Sequence, residues 1–157
     1  MGRAGNLKRQ IMGYSEALEK AGCKILAFEE FGSYQGTWLA FVEHNGQKGI
    51  VEGSYGSCSG CDAFQAEFDY GDEPTEKNGK YYKSYRTWDE DEECTKEEFE
   101  ELKRAAEKKL ADFGASYLSG GLYDKAHYEQ RLSGLDSDDW FDEETKEYCL
   151  WAIKQDW

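Results

Sequence analysis

Trp38-Leu-Ala-Phe-Val-Glu-His44, the dipeptide Asn45-Gly46, and Gly49-Ile-Val-Glu-Gly-Ser-Tyr55 form the stretch that decides the fold. Asn-Gly is the strongest short hairpin signal, because a type I′ turn needs positive φ at both central residues. Two antiparallel strands are therefore predicted, Trp38 to His44 and Gly49 to Tyr55. In that register Glu43 falls opposite Lys48 and Phe41 opposite Ile50, a charge pair and an apolar pair that suit cross-strand neighbours.

Upstream, Ile25, Leu26, Ala27 and Phe28 make a short apolar run within Cys23 to Phe31, bounded by glycines. Its length predicts a buried strand rather than a helix. Before it, Leu7, Ile11, Tyr14, Leu18 and Ala21 recur at helical spacing, with Asn6 as N-cap and Gly22 as stop. Downstream, Ala63 to Tyr70 fits a strand or a short helix. Gly71 to Tyr82, with the sole proline Pro74, reads as a loop. Tyr81 to Trp88 is a candidate further strand.

Thr95 and Glu98 form a capping box, followed by Phe99, Leu102, Ala106, Leu110, Phe113 and Tyr117 on one helical face. Shorter helices are expected from about Tyr123 to Leu132 and from about Asp142 to Trp157. The fold class is α+β: an N-terminal helix, an antiparallel β-meander, then acidic C-terminal helices. At 157 residues the chain is read as a single domain, residues 1–157. Within it, residues 1–88 are the helix-plus-meander half and 89–157 the acidic helical half.

No apolar run is long enough to span a membrane and no signal-type h-region follows Met1, so a cytoplasmic location is expected. Cys23, Cys58, Cys61, Cys94 and Cys149 are odd in number and mostly scattered, which fits free thiols in a reducing compartment.

The net charge of −14 is uneven: residues 1–88 hold 12 acids and 10 bases, residues 89–157 hold 21 acids and 9 bases. Asp89, Glu90, Asp91, Glu92 and Glu93 run into Glu97, Glu98, Glu100 and Glu101. Asp136, Asp138, Asp139, Asp142, Glu143 and Glu144 make a second cluster. One reading is a solvated face with favourable charge at helix starts. The sharper one is a surface imitating nucleic acid, since ordered carboxylates can occupy basic clefts built for phosphate. Under that reading Asp89, Glu90, Asp91, Glu92, Glu93, Glu97, Glu100, Asp136, Asp138, Asp139 and Glu143 contact a protein partner with a basic surface. Inhibitors of nucleic-acid enzymes, such as anti-restriction and anti-CRISPR proteins, share this composition. Direct nucleic-acid binding is disfavoured, because the field repels phosphate.

In an antiparallel meander the loops Phe31 to Gly36 and Gly53 to Asp62 leave the same end, opposite the Asn45-Gly46 turn. A small ligand there would meet Tyr34, Gln35, Tyr55, Ser57, Ser59 and Asp62. Cys58-Ser-Gly-Cys61 is half of a zinc site, which wants two more ligands; Cys94, Cys149 and His127 are available, though none forms a second close pair. It also matches a redox-pair spacing, but follows a hairpin rather than the first strand of a βαβ unit. Beside both stands a purely structural alternative, a tight loop whose small residues allow close backbone packing.

A Cys58–His44 pair is unfavourable, with the two about 25 Å apart along the strands. No HExxH, GxSxG or phosphate-binding glycine loop is present. A binding protein is therefore expected rather than an enzyme, with no resident cofactor and zinc as the metal the half-site suits. Tyr148-Cys-Leu-Trp-Ala-Ile153 and Trp157 are expected to dock on the core, the alternative being a homodimer or partner interface through Trp151 or Trp157.

Gly32-Ser-Tyr-Gln-Gly-Thr-Trp38 with Ser54-Tyr-Gly-Ser-Cys-Ser-Gly-Cys-Asp62 resembles a signature of uncharacterised small proteins of bacteria and their phages, over about residues 25–65. The resemblance implies a mobile-element context and brings no activity, cofactor or site residue with it.

Overall fold

The computed structural model describes residues 13–32, 35–56, 62–64, 68, 74–83, 93–135 and 142–157. Helix α1 covers 13–20 of these. It stops where the sequence says: Gly22, at φ 103°, donates to Glu19 O and Cys23 N donates to Leu18 O, both at 3.0 Å. This paired closure relies on a left-handed residue that glycine supplies without steric cost. Asn6, Leu7 and Ile11 lie outside the described residues.

Strands β1 (Lys24–Gly32), β2 (Gly36–His44) and β3 (Gln47–Tyr55) form an antiparallel sheet in the order β1-β2-β3. The hairpin register is as expected, with Glu43 opposite Lys48 and Phe41 opposite Ile50, and Asn45 and Gly46 at φ 53° and 77°. A bulge between Ile25 and Ala27 restores side-chain parity in β1, leaving Leu26 38% exposed.

Helices cover both faces of the sheet. Trp38, Ala40, Val42 and Val51 meet Tyr14 and Leu18 of α1 and Phe113, Tyr117 and Leu118 of α2 (Lys96–Leu118). On the other face Leu39, Phe41 and Ile50 meet Tyr128 of α3 (Lys125–Ser133) and Tyr148, Cys149 and Ala152 of α4 (Glu143–Ile153). The central strand β2 is thus apolar at consecutive positions because both its faces are core. The architecture is α+β, with the meander as the middle layer. The C-terminal aromatics pack on it: Trp157 lies 5.0 Å from Phe41 and its Nε1 donates to Ala152 O at 2.9 Å, while Trp151 lies 6.1 Å from Phe31.

A second small sheet corrects one expectation. Within Gly71 to Tyr82, read as loop, β4 (Thr75–Lys77) and β5 (Lys80–Tyr82) form a hairpin that β6 (Glu93–Cys94) extends. Its turn is Asn78-Gly79, at φ 54° and 78°, the same dipeptide as the main hairpin. Of the strand expected from Tyr81 to Trp88, Tyr81 and Tyr82 belong to β5, and 84–92 lie outside the described residues. In the 63–70 segment Ala63 and Phe64 are helical and Phe68 N donates to Phe64 O at 2.8 Å, so the helix alternative holds where the chain is described. The last two helices are trimmed relative to expectation: Tyr123 is outside α3, bridging to Ile50 through two backbone bonds, and α4 ends before Trp157.

Candidate functional site

Two regions carry the sequence-predicted residues. The first is the sheet end opposite the Asn45-Gly46 turn. Gly36 and Tyr55 are the last cross-strand pair there, so the segments after β1 and β3 do leave side by side. Gln35 is exposed. Tyr55 is buried and its hydroxyl donates to Phe31 O at 3.0 Å, crossing to β1. Burial, with the carboxylates of Glu30 and Glu144 nearby, pushes its pKa up to about 12.

Asp62 is 2% exposed and fastens the base of its loop. Its Oδ1 accepts from Gly56 N and from the Tyr14 hydroxyl, both at 2.9 Å, while that hydroxyl accepts from Phe64 N at 3.1 Å. One tyrosine on α1 therefore satisfies a buried carboxylate and a backbone N–H together. Burial, opposed by the Phe64 N–H and reinforced by Asp62, holds the Tyr14 proton far more tightly than usual. Tyr55 and Asp62 thus turn into the fold, and Gln35 faces out. Tyr34, Ser57, Cys58, Ser59 and Cys61 lie outside the described residues.

Among the described residues no group of three His, Cys, Asp or Glu side chains could hold a metal. Cys94 is buried in the small sheet and Cys149 under the other face of the main sheet. His127 is on α3, its ring stacked on Tyr123 at 4.3 Å. The three residues available to supply the two further zinc ligands are not brought together.

The second region is the first half of α2 and the start of α4. Thr95 is the N-cap, its Oγ1 accepting from Glu98 N at 3.1 Å. Residues 100–105 are all exposed, and six consecutive residues pass through more than one 3.6-residue turn. Every side of the helix there meets solvent. The apolar stripe is partly covered at Phe99, 4.9 Å from Tyr81, at Ala106 and from Leu110 onward, while Leu102 is 37% exposed. Gly114 is the one buried residue of α2, where a Cβ would collide with Ala17 O on α1.

Glu93, Glu97, Glu100 and Glu143 are exposed, and no ion pair engages them among the described residues. Lys108–Asp112 and Lys125–Glu129 are open i,i+4 pairs of small energetic weight. Asp89, Glu90, Asp91, Glu92, Asp136, Asp138 and Asp139 lie outside the described residues.

Sequence reasoning missed a polar node. Glu52, which follows the buried Ile50 and Val51 in β3, accepts from Tyr128 OH at 3.0 Å and pairs with Arg131 at 3.2 Å. The Arg131 guanidinium lies 5.0 Å over the Tyr148 ring. The node ties α3 and α4 to the sheet; a lone Glu amid buried strand residues was its only sequence signal. Burial pushes the neighbouring Cys149 thiol pKa up, which keeps it protonated and inert.

No helix among the described residues is long and apolar enough to cross a membrane. The chain matches no protein-family model, no curated protein and no solved structure.

Proposed function

We propose that this is an acidic binding protein that occupies a basic, nucleic-acid-binding surface of a partner enzyme through residues 89–101 and 136–144, in the manner of a phage-type inhibitor. One observation carries the reading: α2 is solvent-exposed around its whole circumference at residues 100–105, next to acids that no base pairs with among the described residues. Between Phe99, which packs on Tyr81, and Leu110 the helix covers little of the core, and those turns are available to present charge. Carboxylates without an intramolecular ion pair keep their field available to an incoming cationic surface.

The test is capture of a nucleic-acid enzyme from host lysate by the wild type and by a variant with Asp89, Glu90, Asp91, Glu92, Glu93, Glu97 and Glu100 made neutral. Capture should be confined to the wild type, reversed by competing duplex DNA, and weakened strongly between about 50 and about 200 mM salt. Equal capture by the neutralised variant, or none by either, sinks the proposal and leaves the acids as a solvated face.

A second reading, a small-ligand or zinc site at the loops after β1 and β3, is favoured by the Gly36–Tyr55 pairing that sets those loops side by side. Native mass spectrometry of protein purified from cells tests it, since a bare, metal-free mass counts against any bound group. Thiol oxidoreductase chemistry at Cys58 and Cys61 is separable in the same protein: Cys58→Ser should abolish disulfide reduction if that chemistry is real.

A further inference from the structure

The two edges of the main sheet differ in what covers them. At the outer edge of β3, Tyr123 closes a bridge to Ile50 through two backbone bonds of 2.8 and 2.9 Å, and Tyr128 and Arg131 of α3 engage Glu52. At the outer edge of β1, no backbone bond joins Lys24–Gly32 to any element but β2 among the described residues. A strand paired on one side only turns alternate N–H and C=O groups outward, a template for another strand. Proteins blunt such an edge with charges or a bulge. β1 carries both, and where they stand along the strand decides between protection and pairing.

Lys24 and Glu29 are exposed, and neither has an ion-pair partner among the described residues. They stand opposite Glu43 and Leu39 of β2, an even number of residues apart, so both leave the same face of the sheet. Ile25 and Phe28 stand opposite Val42 and Ala40 and leave the other face, where both are only partly buried against the Trp38 core. An antiparallel second copy of β1, related by a two-fold axis between Leu26 and Ala27, sets each of these against a complement. Lys24 then faces the second copy's Glu29 on one face, and Ile25 faces the second copy's Phe28 on the other. Leu26, 38% exposed in the single chain, meets the second copy's Ala27. Two-fold symmetry repeats every pair.

We propose that β1 is a dimer edge, on which two copies of this chain pair antiparallel into one continuous sheet of order β3-β2-β1-β1-β2-β3. The bulge between Ile25 and Ala27 selects the occupant. A regular strand laid along β1 would slip by one residue at that point and turn its side chains to the wrong face. A second copy carries the same extra residue at the same place, opposite the first, so the two stay in step on both sides of the axis. The surface uses none of the acids assigned above to a partner enzyme, and its charge pairs join a base to an acid of the same chain type.

Sedimentation equilibrium of the full chain tests this, in reducing buffer at about 150 mM salt, where distant charges are screened. The wild type should move from monomer to dimer mass as its concentration rises. Glu29→Lys should weaken association about tenfold, because a charge pair counted twice turns from attraction to repulsion. That substitution also brings the acidic chain nearer neutrality, so general repulsion between copies falls and cannot be the cause. Lys24→Glu should weaken association too, and the double variant Lys24→Glu, Glu29→Lys, with the wild-type net charge, should restore it. Both side chains are exposed, so none of these variants removes a core contact. A wild type that stays monomeric up to about 300 μM, the range of weak specific contacts, overturns the proposal. So does a dimer that Glu29→Lys leaves at full strength, or one that the double variant fails to restore.

Discussion

The molecule contains two Asn-Gly hairpins with nearly identical turns and different fates. Asn45-Gly46 sits at φ 53° and 77°, and Asn78-Gly79 at φ 54° and 78°. The first joins strands of nine residues, the second strands of three. Turn chemistry sets the register of both, but only the first is flanked by residues that bury on two faces. Trp38-Leu-Ala-Phe-Val42 meets helices above and below, whereas in the small hairpin Glu76, Lys77 and Lys80 are exposed. A turn dipeptide dictates local pairing, and the apolar content of its arms dictates how much of the protein depends on it.

The largest expected difference is between Trp38→Ala and Phe99→Ala. Trp38 is wrapped by Tyr14, Phe28 and Tyr117, and its truncation should cost about 3–5 kcal/mol in denaturant unfolding. Phe99 anchors α2 to the small sheet through Tyr81, and its loss should leave the main unfolding midpoint nearly in place. Equal shifts would mean that the two sheets unfold as one unit.

Gly46→Ala against Gly79→Ala is the cleaner pair. Neither glycine has an atom within 4 Å of where a Cβ would go, so each substitution carries only the cost of a left-handed residue, about 1–2 kcal/mol. Gly46→Ala should lower global stability by that amount. Gly79→Ala should accelerate amide exchange in 75–82 and leave the global midpoint unmoved. If Gly79→Ala lowers the midpoint as far, the small hairpin belongs to the cooperative core.

The same contrast accounts for what was legible in the sequence. The register of the main hairpin was legible because the turn and the Glu43–Lys48 and Phe41–Ile50 pairs agreed, while its strands begin two residues earlier than expected, at Gly36 and Gln47. Asn78-Gly79 bears the same turn signal, but its arms are only three residues long and lack the apolar run of the main hairpin, so turn-forming residues around Pro74 read as loop. The bulge at Leu26 was not readable, since it exists to reconcile β1 with two cores. At the candidate site the position of the loops followed from the meander. The inward direction of Tyr55 and Asp62 did not, because it depends on partners distant in sequence, the Phe31 carbonyl and the Tyr14 hydroxyl.

A smaller effect, with a definite sign, separates the two ends of the main sheet. Glu30 has a raised pKa, caused by burial and then by Glu29, so the folded state binds its proton more tightly than the unfolded chain. Its contribution is fully present below the ordinary value of 4.5 and is lost as pH rises through the higher folded value. Glu30→Gln cannot ionise. It should therefore gain thermal stability relative to the wild type across that rise and keep the gain at neutral pH, with the difference shrinking below about pH 4. A wild type and variant with parallel melting temperature profiles from pH 3 to pH 8, taken as about the range of carboxylate and histidine titration, would show that Glu30 is solvated like a surface carboxylate.

The smallest expected effect falls on the exposed middle of α2. Leu102 belongs by spacing to the apolar face that buries Phe113 and Tyr117 further along the helix, yet at 37% exposure it covers nothing comparable. Leu102→Ala removes a side chain from a helix surrounded by water and substitutes the residue of best helix propensity. The two contributions oppose each other, so stability should change by no more than about 0.5 kcal/mol. Leu110→Ala, on the same stripe but at the edge of the core, should cost several times more. The interval between the two variants measures where along α2 the helix stops packing on the sheet and extends on its own, and a Leu102→Ala loss comparable to that of Leu110→Ala would place that point at least two turns nearer the N-terminus.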